Sequence, residues 1–424
     1  MNYKQNERIM QISEKTLVVG VDIAKDTHYA RAFDYRGIEL GKIFSFASNE
    51  EGMKSFSSWV KKVMERNKKD SAIVGMEPTG HYWFTFAQYI KDNSMKTVLV
   101  NPFHVKRSKE LDDNSQTKND RKDPKTIAML MKDGRFMEPY IHEGVYSEVR
   151  VAVDTRDLII KELSQLKNRI QRWLNIYFPE YGTVFGDWEG KASIITLKNF
   201  ATPEKVLATG VQMIAVTWKK DISRGIGVKR AIRLHEAAKS SIGIREGLRM
   251  AEFQLKSMLE TYEVLMKQLQ ELESSLEELL NEILGTNEIL KIKGIGLVTL
   301  SVFIAEVGDI SRFETPKQIQ KLAGLSLKEN SSGKHKGKTI ISKRGRRRLR
   351  RGLFQAIRPL VAKNKEFKEL HKYYTTRTLN PLKKMQSMIL LCCKLIRIFF
   401  VLLTKKVEYN VVKMMSDIHR PEVA

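Results

Sequence analysis

The chain has 424 residues, 42% of them hydrophobic, and two cysteines, which excludes a small disulfide-stapled scaffold and leaves room for two or three domains. Its 74 Lys plus Arg against 49 Asp plus Glu give a formal net charge of +25, which points to a polyanionic partner, and clustering of that charge favours nucleic acid. The stretch from Met1 to Lys15 is too polar for a secretory signal, and Cys392 and Cys393, adjacent in an apolar helical run, argue against a thiolate metal site and fit a reducing compartment.

From Thr16 to about Gly134 strand and helix patterns alternate. Thr16 to Ile23 reads as a buried strand, His28 to Phe33 as its hairpin partner, and the turn Asp34-Tyr35-Arg36-Gly37 leads to a third strand ending near Phe46. Ser48 with Glu51 three residues later has the form of a capping box for an amphipathic helix through Trp59, Val60 and Met64. A strand ending at Glu77, a helix from about Tyr82 to Lys91 and the strand Thr97 to Val100 follow, the last stopped by Asn101-Pro102. Three hairpin-linked strands and then alternating helices and strands is the order of a ribonuclease H-like α/β fold.

Four carboxylates stand at the boundaries of these elements. Asp22 closes the first strand and Glu77 the fourth, while Asp120 and Asp123, three residues apart, share one face of a starting helix. Asp123-Pro124 fits an N-cap followed by proline at the first helical position. Taken singly, each acid reads equally as a cap or a solvated charge. Together they predict a cage for one or two Mg²⁺ ions, which prefer hard oxygen ligands and keep waters and substrate phosphate. The Glu77-Pro78-Thr79-Gly80-His81-Tyr82 turn could admit a phosphate backbone or be turn chemistry alone.

Two heptad seams follow. Ile159, Leu163, Leu166, Ile170, Trp173 and Tyr177 form the first; Leu255, Met258, Tyr262, Leu265, Leu269, Leu272, Leu276, Leu279 and Ile283 form the second. They predict a coiled coil, closed within the chain or zipped to another protomer. Thr202-Pro203 reads as a helix start inside the less regular region between them. Met388 to Leu403 is apolar but interrupted by Lys394 and Arg397, so a buried helix is expected and no membrane partner.

In the last third, Gly294-Ile295-Gly296 resembles a helix-hairpin-helix turn whose amides suit a phosphate, although a plain interhelical turn explains it as well. Lys334, Lys336, Lys338, Lys343, Arg344, Arg346, Arg347, Arg348, Arg350 and Arg351 form a basic run. Ile340, Ile341, Leu349, Leu353 and Phe354 interleave with it, which predicts a folded phosphate-binding surface in place of a tail. Ser332 precedes Gly333 in a polar loop beside this run. Such a hydroxyl can attack a phosphodiester once activated, yet Ser-Gly is also a common loop element.

The series Val19-Gly20-Val21-Asp22, Glu77-Pro78-Thr79-Gly80, Asp120-Arg121-Lys122-Asp123, Ala323-Gly324-Leu325, Ser332-Gly333 and Ser342-Lys343-Arg344-Gly345, in this order, resembles the transposases of the IS one-ten insertion-sequence family. Leu327 stands where that family usually has Pro, and Pro124 where it usually has Ala. The resemblance implies a RuvC-like DEDD domain over residues 1–145, a helical coiled-coil linker over 146–286 and a mainly α-helical transposase domain over 287–424. It implies Asp22, Glu77, Asp120 and Asp123 as catalytic Mg²⁺ ligands and Ser332 as the nucleophile. It further implies donor and target DNA, a structured noncoding bridge RNA that pairs with both, a dimer of dimers, and a cytoplasmic, nucleoid-associated setting in a prokaryote. The alternatives are a metal-dependent junction nuclease using the same acids with water, and a non-catalytic RNA- or DNA-binding protein. An actin-like ATPase is set aside, since Asp22-Ile23-Ala24-Lys25-Asp26 lacks a glycine-rich phosphate turn.

Overall fold

The computed structural model describes residues 3–78, 80–112, 123–223, 227–328, 331–332, 335–336, 339–416 and 418. The chain divides into two units, Met1–Ile141 and His142–Ala424.

The first unit is α/β. After a helix α1 (Tyr3–Met10) come strands β1 (Thr16–Asp22), β2 (Thr27–Phe33) and β3 (Phe44–Ala47), then α2 (Glu50–Arg66), β4 (Ser71–Met76), α3 (Trp83–Asp92), β5 (Lys96–Val100), α4 (Pro102–Asp112), α5 (Asp123–Lys132) and the short β6 (Phe136–Met137). One mixed sheet has the order β3-β2-β1-β4-β5-β6; β1, β4 and β5 run parallel, and the other pairs are antiparallel. The parallel strands are buried on both faces, which is why they read as unbroken apolar runs. Leu17, Val19, Val21, Val74 and Met76 join α2 and α3 in one apolar cluster, whereas Val18, Ile73, Val98 and Val100 join Ile127, Ala128 and Met131 of α5 in another. Asn49, not Ser48, caps α2: its Oδ1 accepts the Gly52 N–H at 2.8 Å. α1, α4 and β6 have no counterpart in the sequence reading, being short or weakly amphipathic.

Local packing sets the register of α5 on the sheet. A Cβ added to Gly20 would stand 1.9 Å from the Pro124 carbonyl oxygen, so only a bare backbone lets the first turn of α5 cross β1.

The second unit is helical apart from two small strand pairs. Two 34-residue helices, α6 (Gly144–Tyr177) and α11 (Leu248–Asn281), pack antiparallel: Trp173 Nε1 donates to the Ala251 carbonyl at 2.8 Å, and Arg156 pairs with Glu273 at 2.8 Å. Between them lie α7 (Tyr181–Val184), α8 (Lys191–Asn199), α9 (Pro203–Asp221) and α10 (Val228–Lys239). Thr202 caps α9 by accepting the Lys205 N–H, with Pro203 at its start. On α6 Ile159, Leu163, Leu166, Ile170 and Trp173 are buried as the seam predicts. On α11 the buried positions are Ala251, Leu255, Leu259, Tyr262, Leu265, Leu276 and Leu280. Leu259 and Leu280 replace Met258 and Leu279, because a straight helix of 3.6 residues per turn drifts about 20° per heptad from a 3.5-residue seam.

Beyond α11 come α12 (Thr286–Leu290), α13 (Leu297–Val307), α14 (Pro316–Leu322), the strands β7 (Leu327–Lys328), β8 (Ser331–Ser332), β9 (His335–Lys336) and β10 (Ile340–Ile341), and then α15 (Arg347–Lys363), α16 (Lys365–Thr376), α17 (Lys384–Lys405) and α18 (Val411–Met415). Among the described residues α17 alone is long and apolar enough to cross a membrane. Leu391, Cys392, Leu395, Ile396, Phe399, Leu402 and Leu403 are buried in the core formed with α13 and α15, so it is the central helix of this unit. Both cysteines are free thiols.

Candidate active site

β1 and β4 end side by side. Their last paired residues are Val21 and Met76, so Asp22 and Glu77 follow at one level on neighbouring strands, about 4.8 Å apart along the hydrogen-bonding direction. Side chains alternate along a strand, so Asp22 shares a face with Val18 and Gly20, and Glu77 with Ile73 and Gly75. That is the face covered by α5, whose second residue lies over Gly20 and whose first is Asp123. Asp22, Glu77 and Asp123 therefore share one face at one end of the sheet, each half-buried. Asp120 lies outside the described residues. Among the described residues no three His, Cys, Asp or Glu side chains converge closely enough to hold a metal ion.

The serine motif forms a β-arm. β7 pairs with β10 through Leu327↔Ile341 and Lys328↔Ile340, and farther out β8 pairs with β9 through Ser331↔Lys336 and Ser332↔His335. Ser332 thus stands at the outer pair; its side chain, Lys334 and Lys338 lie outside the described part, as does the Lys336 side chain. The base of the arm explains the glycine motifs. Lys343 N donates to the Gly324 carbonyl at 3.0 Å and Arg346 N to that of Leu322 at 2.7 Å. A Cβ on Gly345 would meet the Leu322 oxygen at 2.4 Å, and Gly324 and Gly345 adopt φ of 69° and 154°. The two backbones touch there, and that junction roots the arm between α14 and α15.

The basic run divides into two classes. Arg348 donates from Nε to Glu306 at 2.6 Å and from Nη1 to Asp154 and, at 3.2 Å, to Asp157. Arg346 donates to the Glu306 carbonyl, Arg150 to the Glu306 carboxylate at 2.9 Å, and Arg350 to the Ala323 carbonyl at 2.9 Å. Glu306 is 4% exposed. Arg150, Arg346 and Arg348 tie α6, α13 and α15 together and Arg350 ties α15 to the end of α14, so the guanidiniums of Arg346, Arg348 and Arg350, expected on a nucleic-acid surface, have partners within the fold. Lys343, Arg344, Arg347 and Arg351 are exposed, and Arg358 joins Arg347 and Arg351 on the solvent face of α15 at helical spacing. Arg358 escaped the sequence reading because it follows the dense run, although its distance from Arg347, eleven residues, was the available signal.

Arg348→Ala is expected to cost about 1.5–3 kcal/mol of stability, since it removes the charged hydrogen bonds of α15 to buried Glu306 and to Asp154 while Arg150 still pairs the Glu306 carboxylate. The double substitution Arg347→Ala, Arg351→Ala should leave unfolding unchanged and weaken DNA binding, with the log–log salt slope falling by roughly 1 for each phosphate no longer neutralised. Thermal unfolding beside salt-titrated DNA binding checks both. Equal destabilisation of the two variants would refute the division.

Gly294, with φ of 103°, packs its turn against Leu360, and the Lys293 carbonyl accepts from Asn364 Nδ2 at 3.1 Å. Gly296 opens α13 with no side-chain cap.

Two family models match the chain: a DEDD transposase model of the IS110 type over residues 19–179, and the Transposase IS116/IS110/IS902 family model over residues 286–373, together more than half of its length. The chain belongs to the IS110 family of transposases. It is also 25% identical over 371 residues to the transposase for insertion sequence element IS1111A of Coxiella burnetii, covering 83% of this chain and 80% of that one. The first match contains Asp22, Glu77, Asp120 and Asp123, and the second contains Ser332 and the arm. An IS110-family transposase acts on DNA, and the DEDD type carries a general dependence on a divalent metal. Asp22, Glu77 and Asp123 supply the hard carboxylate oxygens such an ion prefers, in half-buried positions at one sheet end, without converging on a single point in this structure.

Proposed function

We propose that this IS110-family transposase is an RNA-guided DNA recombinase, which breaks and rejoins DNA through a serine-linked strand with Mg²⁺ at the DEDD site. The observation that carries the reading is the pairing of two chemically complementary sites in one chain: carboxylates gathered at one sheet end of the first unit, and a serine on an arm rooted in the basic second unit. The order β3-β2-β1-β4-β5 supports reading the first unit as ribonuclease H-like, and the antiparallel α6 and α11 pair supports a coiled-coil linker. The functional division is then 1–145, 146–286 and 287–424.

In this reading Ser332 Oγ attacks a phosphodiester; an O–P bond to serine forms, the bond to the leaving sugar oxygen breaks, and the serine proton passes to that oxygen or to a base. The reverse attack by a partner strand's hydroxyl restores the serine and joins the DNA, ending in a Holliday-type junction. Asp22, Glu77, Asp120 and Asp123 would hold the Mg²⁺, which when bound would orient the phosphate and offset the negative charge that builds on it. Lys343, Arg344, Arg347 and Arg351 hold the DNA or RNA backbone, whose sequence the protein does not read directly. Base choice resides in the bridge RNA, by analogy with other guided systems in which protein reads shape and pairing reads sequence. We assign the acids and the serine to act across protomers of a dimer of dimers, as the family resemblance implies.

The test is to isolate the protein from cells carrying its element, sequence the RNA that accompanies it, and assay recombination before and after ribonuclease treatment. A single structured RNA with segments complementary to donor and target, whose removal abolishes recombination, is expected. Full recombination without RNA would overturn the guided reading.

A further inference from the structure

The sheet end that presents Asp22 and Glu77 has an aromatic rim. β4 and β5 run parallel, so the segments that follow them leave the same end of the sheet. In those segments Phe84 is 53% exposed and Phe103 57% exposed. Burying such a ring is worth about 1.5–3 kcal/mol, which two rings exposed at one edge make available to a partner.

Local structure keeps the rings outward. Asn101 Oδ1 accepts the Phe103 N–H at 2.9 Å, and the Asn101 carbonyl accepts those of His104 and Val105. This cap starts α4 with Val105 buried and Phe103 exposed. One helical turn on, Arg107 sets its guanidinium 5.0 Å from the Phe103 ring centroid. Phe84 lies in the first turn of α3, stacked on Trp83 at 4.2 Å.

Charge identifies the occupant. Residues 78–85 and 101–108 contain no carboxylate, whereas Lys106 and Arg107 are exposed within the second segment. Separate exposed rings, one of them backed by a cation and neither with a carboxylate in its own segment, suit a nucleic-acid strand, in which every base offers a π-face and every linkage a negative charge. A protein partner would favour one contiguous apolar patch.

We propose that Phe103, backed by Arg107, and Phe84, from helices on opposite faces of the sheet at the same end, form a stacking rim whose rings hold unpaired bases of the DNA strand delivered to Asp22 and Glu77. This rests on the reading of the acids as the DNA-processing site. It adds that the site takes distorted or single-stranded DNA in preference to intact duplex, because a paired base has no free face to stack.

The test uses the full chain, without divalent ion, and DNA oligonucleotides carrying the fluorescent analogue aminopurine in an unpaired stretch or within a duplex. Binding should quench the unpaired probe. Phe103→Ala should remove most of the quenching and weaken single-strand binding about tenfold, Phe103→Tyr should restore both, and duplex binding should not change. The exposed ring makes unchanged thermal unfolding of the alanine variant the expected control. Undiminished quenching in the double variant Phe84→Ala, Phe103→Ala overturns the rim, as does quenching of an RNA probe alone or equal weakening of single strand and duplex. Asp22→Asn separates the two readings: unchanged strand transfer in that variant defeats the acid site, while its aminopurine quenching still reports on the rim.

Discussion

Asp22→Asn and Glu77→Gln should each lower DNA strand transfer by at least about 100-fold, while DNA and RNA binding and thermal stability persist. The floor follows from metal sites in general, where loss of a residue that merely orients a ligand already costs about 10- to 100-fold. Each amide keeps the shape of its parent and removes a charged oxygen donor. The fold should tolerate the change, because neither side chain belongs to the apolar clusters on the two faces of the sheet. A strand-transfer assay alongside thermal unfolding decides the matter. Unaltered strand transfer with tight RNA binding would favour a non-catalytic nucleic-acid-binding protein.

Ser332→Ala should abolish the covalent protein–DNA species and reduce strand transfer by at least about 10³-fold, since a nucleophile has no substitute within its own site. DNA binding should remain, because Lys343, Arg344, Arg347 and Arg351 lie outside the outer strand pair of the arm. The two substitutions differ in what they leave behind. Denaturing electrophoresis of reactions with end-labelled DNA should show label on the wild-type protein and none on the serine variant. If Ser332→Ala continued to cut DNA at the wild-type rate with no labelled protein in either case, water would be the attacking group and the protein a metal-dependent junction nuclease.

Much of the first unit was legible because its signals are local. A buried parallel strand needs a run of apolar residues, and the runs before Asp22 and Glu77 supply them within seven and six residues. Thr202-Pro203 marked a helix start for the same reason: cap and fixed φ lie in adjacent residues. Ser48 misled because Asn49, one residue on, takes the cap by accepting the Gly52 N–H, and the choice depends on how β3 enters α2. The second heptad seam misled by one residue at Leu259 and Leu280, where burial follows the helix that packs, not the ideal repeat.

By itself the sequence determined the first five strands, the acids at their ends, the arm's glycine-bounded motif, the basic surplus and the family resemblance. All of these are written in residues near one another in the chain or in their fixed order. Only the tertiary structure decided which face of the sheet Asp22, Glu77 and Asp123 share, since that depends on α5 crossing β1 at Gly20, more than a hundred residues earlier. It likewise decided which arginines face solvent. Arg347 and Arg348 are neighbours of one chemical type, yet one is exposed and the other is bound to Glu306, 42 residues away, and to Asp154, 194 residues away. A charge run records how many cations are present, but their partners are set by which helices meet, and that information is spread across the whole second unit.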